Sequence, residues 1–157
     1  MPASTAPLTG DPLLLAVTDA MVALHERYHH RAPVTAKTML LGGDLLACVL
    51  GGVYTDVEKT MIELQHTTIV QETRSAFQNA MQHKFIAAVE GLSGRTVLAF
   101  ISNHHVGPDM EVELFLLQPG EDTALKRSRL ERELVLSDAE RQMIAEMTGE
   151  TPEHEAD

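Results

Sequence analysis

The residues with the clearest capacity for chemistry lie in one short segment, residues 103–109. The segment contains His104, His105 and Asp109, and imidazole and carboxylate groups are ligands for transition metals. Adjacent histidines on an extended backbone point in opposite directions, so the two would not easily bind one ion. Pro108 and Asp109 are also ordinary turn residues. We therefore expect a polar hairpin tip without a metal, and keep a metal site at His104, His105 and Asp109 as the alternative.

Other patterns that suggest reactive groups are weaker. Cys48 is the only cysteine and stands in an apolar run, which favours a buried thiol over a nucleophile. Ser102 has no orienting acid at a spacing recognisable as a hydrolase triad. The glycine pairs at 42–43 and 51–52 match neither the dinucleotide fingerprint nor the P-loop with its lysine. The sequence predicts no catalytic residue and no cofactor, and it favours a protein without enzymatic activity.

A long amphipathic helix is predicted over residues 67–92, just before the candidate segment. Polar side chains, Arg74 among them, form a face that we expect to meet water. Gly94 can adopt the left-handed conformation that ends a helix. The opposite, apolar face consists of Val70, Phe77, Met81, Phe85, Ala88 and Leu92.

Two pairs of strands are predicted, each with a short connection that favours an antiparallel hairpin. The first pair covers residues 34–41 and 45–50, and the second covers residues 96–102 and 110–117. The last strand alternates clearly between its two faces. One face carries Met110, Val112, Leu114 and Leu116, and the other carries Glu111, Glu113 and Phe115.

The remaining helices complete the element order. Asp11 as N-cap and Pro12 as first helical residue predict a helix that ends before Pro33. The capping box Thr55-x-x-Glu58 opens a short helix to about residue 64. The order α-β-β-α-α-β-β predicts a two-layer α+β sandwich, with helices on one face of a four-stranded antiparallel sheet. One helix layer leaves apolar surface open, so we expect a homodimer.

Composition and charge exclude several functions. The formal net charge of −11 disfavours binding to nucleic acid and to anionic lipid. No stretch is long and apolar enough for a spanning helix, which together with one cysteine favours a cytoplasmic protein. We divide the chain into a domain at 11–119 and a charged, acidic tail at 120–157, with a helix at about 138–147.

A series of short matches resembles the MpsC-like family, small bacterial domains named after a sodium-translocating, membrane-potential-generating system. The resemblance covers about residues 14–119. The matching runs are 55–60, 74–77, 85–90, 92–97, 102–109 and 112–115.

The resemblance implies an accessory or interaction domain that acts with a membrane ion or bicarbonate transport system. His105, Pro108 and Asp109 match the family's hairpin-loop motif, and a loop motif favours a binding role. The alternative is a metal-dependent enzyme, or a sensor of a metal or small molecule, that uses the 103–109 loop. The residues predicted to bind a partner or ligand are His104, His105, Asp109, Arg74, Glu90 and Arg95.

Overall fold

Seven elements follow one another in the first 120 residues, in the predicted order. The computed structural model describes residues 6–120 and residues 142, 143 and 146. These last three are helical and belong to a second unit, residues 121–157, so the rest of the predicted tail helix lies outside the described residues. The elements are α1 Gly10–His29, β1 Thr35–Leu41, β2 Leu45–Gly51, α2 Asp56–Glu63, α3 Thr67–Ser93, β3 Val97–His105 and β4 Met110–Leu117.

The four strands form one antiparallel sheet in the order β1-β2-β4-β3. Both predicted hairpins are present, β1 with β2 and β3 with β4, and they join side by side through β2 and β4. The predicted fold class, a four-stranded antiparallel sheet with helices on one face, is therefore confirmed.

Helices α1 and α3 pack against each other and cover one face of the sheet, α1 over β1 and β2 and α3 over β3. The stacking of Phe85 of α3 on Phe100 of β3 shows the contact directly, with ring centroids 6.1 Å apart. Each large apolar side chain buried there contributes about 1.5–3 kcal/mol. The centre of this core contains Val17, Met21, Leu46, Leu50, Val53, Val89, Phe115 and Leu117.

The register of the sheet assigns each paired strand residue to the covered or the uncovered face, because paired residues of antiparallel strands share a face. One row of paired residues on the covered face is polar. We call it the polar row: Thr38, Cys48, Glu113 and Ser102. The uncovered face, which no described element covers, is mainly apolar. We call its central part the open face: Lys37, Met39, Leu41, Leu45, Ala47, Val49, Ala99, Ile101, Asn103, Val112, Leu114 and Leu116. The same side of the sheet continues with Thr35, Gly51, Met110 and His105.

Local signals at the helix ends agree with the structure at two of three predicted sites. Thr55 and Glu58 form the predicted capping box. Gly94 is left-handed, with φ of 63°, and a Cβ atom there would lie 2.6 Å from Pro7 Cγ. The predicted N-cap Asp11 is wrong, because α1 begins at Gly10 with Thr9 as N-cap. Thr9 has extended backbone angles, and its side chain makes no capping hydrogen bond.

Candidate functional site

Arg74 lies at the centre of the most highly connected polar cluster, and only 1% of its surface is exposed. The prediction that Arg74 belongs to the water face of the helix is therefore wrong. Arg74 stands four residues after Val70 and three before Phe77, so helical spacing places it beside the apolar stripe. Its charge is compensated inside the protein, as a buried cation requires.

Glu58 of α2 is the first partner of the Arg74 guanidinium. Arg74 Nε donates to Glu58 Oε1 at 2.7 Å, and Nη2 donates to Oε2 at 2.8 Å. Glu58 Oε2 also accepts a hydrogen bond from the backbone N–H of Thr55 at 2.8 Å. Burial alone would raise the pKa of Glu58, but the hydrogen bonds from Arg74 and Thr55 outweigh it and lower the pKa to about 2.

Glu111 of β4 is the second acidic partner. Arg74 Nη1 donates to Glu111 Oε2 at 2.8 Å, and both side chains are 2% exposed. Arg74 Nη2 also donates to the carbonyl of Val53 at 2.8 Å. The guanidinium carbon lies 4.6 Å from the centre of the Tyr54 ring, within cation–π range. One side chain of α3 thus connects α2, β4 and the segment between β2 and α2.

The 103–109 segment is attached to this cluster through Asp109. Asp109 Oδ1 accepts a hydrogen bond from Val53 N at 2.8 Å, and Oδ2 accepts one from Tyr54 N at 3.2 Å. The Tyr54 hydroxyl donates to the carbonyl of His105 at 3.2 Å. His105 Nδ1 lies 3.0 Å from the carbonyl oxygen of Pro108. The hairpin tip is therefore held in one position by contacts to the chain that follows β2.

The predicted loop at 103–109 is too long, because β3 continues to His105 and only residues 106–109 connect it to β4. The two histidines of this segment lie on opposite sheet faces, as their spacing predicts. His104 is paired with Glu111 on the covered face, and burial lowers its pKa. His105 is exposed. In the part of the chain that the structure describes, no three His, Cys, Asp or Glu side chains are grouped to hold a metal ion, so His104, His105 and Asp109 do not come together as a ligand set.

Glu90 and Arg95 hold the ends of the β3–β4 hairpin. Glu90 Oε1 accepts a hydrogen bond from Val97 N at 2.9 Å. Arg95 donates to the carbonyl of Gln118, at 2.9 Å from Nε and 2.7 Å from Nη2, and to the carbonyl of Gly43 at 2.9 Å. These contacts give both residues a structural role. A role in binding for the six predicted residues stays a prediction.

Sequence reasoning did not recognise the polar row under the helices. Glu113 is fully buried. Burial and the neighbouring Glu111 carboxylate raise the pKa of Glu113 to about 10. Burial also raises the pKa of the Cys48 thiol to about 11, and the buried state of that thiol confirms the prediction. A signal for Glu113 was present, because strand alternation puts it on the same face as Phe115, which any core would bury.

An open cavity of about 300 Å³ lies at the surface between α3 and the edge strand β3. Most of its lining residues are exposed, and Ser102 is the member of the polar row that lines it. The α3 side contributes hydroxyl and amide groups, and β3 contributes two apolar residues and one hydroxyl. Its lining residues are Ser75, Gln78, Asn79, Gln82, Phe100, Ile101 and Ser102. The cavity is thus uncharged and rich in hydrogen-bonding groups.

Comparison with known proteins identifies the family to which the chain belongs. None of the helices in the described part combines the length and hydrophobicity that crossing a membrane requires. No curated protein matches the chain, and no solved structure does. A family model described as "Na+-translocating membrane potential-generating system (MpsC)" matches residues 13–119. The match is more than half of the sequence and runs from within α1 to the end of β4. The chain therefore belongs to the MpsC family.

Proposed function

We propose that this domain is a non-enzymatic, cytoplasmic accessory subunit of a membrane ion or bicarbonate transport system, and that it works as a homodimer. The family name links the domain to a Na⁺-translocating, membrane-potential-generating system. The observation that carries the proposal is the open face, an apolar surface across all four strands that no described element covers. Such surfaces mark sites of protein association.

The size and chemistry of the open face favour a second copy as its partner. Four strands spaced ~4.8 Å apart and about seven residues long give a footprint of roughly 400 Å². Two such faces approach the lower limit of about 1,000 Å² for a specific interface. Lys37 is its only charged residue and lies on the edge strand β1. Two sheets can therefore pack face to face without burying a charge at the centre.

The hairpin tip at 103–109 is the surface that we assign to the transport partner. His105, Gly107 and Pro108 are exposed, while Asp109 fixes the tip through its hydrogen bonds to Val53 and Tyr54. A surface held in place before binding loses less conformational entropy when it docks.

The dimer is tested by measuring molar mass with light scattering during size-exclusion chromatography, over a range of concentrations. Ile101→Arg changes an open-face residue that is 59% exposed, and Ile69→Arg changes an α3 residue that is 50% exposed. We expect the native chain and Ile69→Arg to be dimers and Ile101→Arg to be a monomer. Dimers in all three samples, or monomers in all three, would rule out the open face as the interface.

The accessory role is tested by native purification from gently solubilised cells, with mass spectrometry of the bound proteins. We expect recovery of a membrane transport protein in stoichiometric amount, and its loss when Pro108 is changed to Ala together with His105→Ala. Substrate turnover by the purified protein alone, abolished by His105→Ala, would reject the proposal in favour of an enzyme.

A further inference from the structure

Strand β3 is an edge of the sheet, and no described element pairs with its outer side. Leu117 N donates to the carbonyl of Asp44 at 2.8 Å, so Leu117 turns its N–H towards β2. Because backbone directions alternate along a strand, the even-numbered residues of β4 bond to β3, through the partners Ala99, Ile101 and Asn103. The β3 residues whose N–H and C=O groups point outwards, away from β4, are therefore Phe100, Ser102 and His104.

The outer side of β3 lacks the features that usually protect a sheet edge. Natural sheets block their edges with charged side chains or proline. The opposite edge strand, β1, carries Lys37. Strand β3 has no proline and no lysine, arginine, aspartate or glutamate along its nine residues. His104 N–H donates to the side chain of its neighbour Asn103 at 2.8 Å, as a group that does not bond to β4 can do. The edge is therefore open to a further strand.

Helix α3 forms a wall beside this edge. The open cavity between the two elements has hydroxyl and amide side chains on the helix side. We call this cavity the β3 groove, lined by Ser75, Gln78, Asn79, Gln82, Phe100, Ile101 and Ser102. Between residues 75 and 82 the helix rises by about 10.5 Å, and three residues of an extended strand span about 10 Å. The β3 groove therefore has the length of about three strand residues.

The chemistry of the β3 groove selects its occupant. Another extended backbone is the ligand that matches the alternating donors and acceptors of an edge strand. The wall of α3 favours polar side chains, because Gln78 Nε2 is buried there without an acceptor among the described residues and an apolar neighbour would leave it unpaired. None of the lining residues is charged, and the net charge of −11 disfavours an acidic segment.

We propose that the β3 groove binds an extended segment of another protein, which pairs with β3 as a fifth strand of the sheet. The segment turns serine, threonine, asparagine or glutamine side chains towards α3. It has no acidic residue in the groove, and no proline at a position whose N–H must bond to β3. Its backbone hydrogen bonds supply affinity, and the wall of α3 supplies selectivity. An added strand lies in the plane of the sheet, so this site depends neither on the open-face dimer nor on the accessory role.

The test starts from a phage library of random peptides, nine residues long like β3, selected on the full chain. Fluorescence anisotropy of labelled synthetic copies measures their affinity. We expect enriched peptides with hydroxyl or amide side chains at alternate positions. Two further copies carry methyl groups on the backbone nitrogens of either the odd or the even positions. One of these copies should bind and the other should not, because only every second N–H faces β3.

Hydrogen exchange locates the bound peptide. The backbone amides of Phe100 and Ser102 point outwards and should exchange at least about tenfold more slowly in the complex, because each gains a hydrogen bond. The amide of Ile101, which already bonds to β4, should change little. Protection of other regions with no change at Phe100 and Ser102 would overturn the proposal.

Two substitutions close the site in different ways. Ser102→Pro removes an outward N–H, which an edge strand tolerates, and should weaken binding at least about tenfold. Its matched control is Ala36→Pro, at an outward position of β1. Asn79→Arg fills the groove from an exposed position of α3 and serves if Ser102→Pro fails to fold. Its control is Ile69→Arg, outside the groove. Both controls should bind as the native chain does.

Three outcomes would overturn the proposal. The first is a selection that enriches no peptide beyond those obtained on an unrelated protein. The second is equal affinity of the enriched peptides for the native chain, Ser102→Pro and Asn79→Arg. The third is a fall in molar mass from dimer to monomer in both variants, which would show that a second copy occupies this edge.

Discussion

Arg74 and Glu58 are 16 residues apart in sequence, yet they meet through two parallel hydrogen bonds of 2.7 and 2.8 Å. This planar arrangement is the strongest form of an ion pair between side chains. A third bond of 2.8 Å joins Arg74 to Glu111. The guanidinium therefore binds two acidic groups of different elements at once, and its removal affects both.

Arg74→Met should destabilise the domain by about 3–5 kcal/mol, because it leaves Glu111 buried without a counter-charge and Glu58 without its main partner. Chemical denaturation at pH 7 measures the free energy of unfolding. Lys59→Met removes the same charge at an exposed site on α2 and should change that energy by less than about 0.5 kcal/mol. Equal effects of the two substitutions would contradict the central role of Arg74.

Acid should weaken the fold through Glu58. The pKa of Glu58 is about 2 in the folded chain, against 4.5 as its ordinary value, so the unfolded state binds more protons between these values. The stabilisation is complete above about pH 4.5 and is lost as the pH falls towards 2. Denaturation at a series of pH values measures the slope. Glu58→Gln should reduce the pH dependence of the free energy of unfolding between pH 4.5 and 2. An unchanged slope would show that other carboxyl groups cause the loss of stability in acid.

Glu113 should have the opposite effect, at higher pH. Its pKa is about 10 when folded, against an ordinary value of 4.5, so the folded state holds a proton that the unfolded state has lost. The free energy of unfolding should therefore decrease as pH rises from about 4.5 towards 10. Glu113→Gln should remove this decrease, measured by chemical denaturation at a series of pH values. A native chain with constant stability from pH 6 to 9 would contradict the raised pKa.

Asp109 should stabilise the junction between β2 and α2. Asp109→Ala leaves the backbone N–H groups of Val53 and Tyr54 without their acceptor, and both residues are buried. The expected cost is about 2–4 kcal/mol, since each unpaired buried donor costs about 1–3 kcal/mol. Asp109→Asn keeps one acceptor oxygen and should cost less. Thermal denaturation compares the stability of the two variants. A larger loss of stability for Asp109→Asn than for Asp109→Ala would refute this role.

Cys48 should be inert in the folded chain. Its side chain is fully buried, and burial raises its pKa to about 11, so both access and thiolate formation are suppressed. A disulfide reagent that releases a coloured thiol should react more than ~100-fold faster after denaturation, since the ordinary thiol pKa lies near 8.5. Rapid reaction under native conditions would show that the interior opens readily.

The elements of this fold are predictable because their signals are local. The capping box at Thr55 and Glu58, the glycine at 94 and the alternation of residues 110–117 each depend on a few neighbouring residues. The sheet order β1-β2-β4-β3 has no local sequence signal. It depends on which edges of two hairpins meet, and such long-range pairing leaves no local trace.

The polar interior was harder to predict because residue type and spacing disagreed. Spacing put Arg74 next to the apolar stripe of α3, while its charge suggested the water face. Spacing also put Glu111 and Glu113 with Phe115, while the opposite face of β4 was more apolar. In each case the charged groups are buried. The ion pair between Arg74 and Glu111 becomes visible only when the helices are placed on the sheet.

No residue of helix α2 is fully buried. Met61 and Ile62 are partly buried against the core, and the strongest polar attachment of α2 is the pair that Glu58 makes with Arg74. An element held by polar bonds with little buried apolar surface opens locally without global unfolding. Its backbone amides should therefore exchange with deuterated solvent well before those of α1 or β2. Because Arg74 also binds Glu111, each opening of α2 would change the guanidinium from a cation shared by two carboxylates to one half of a one-to-one pair with Glu111, so the motion of a surface helix reaches the ion pair between α3 and β4.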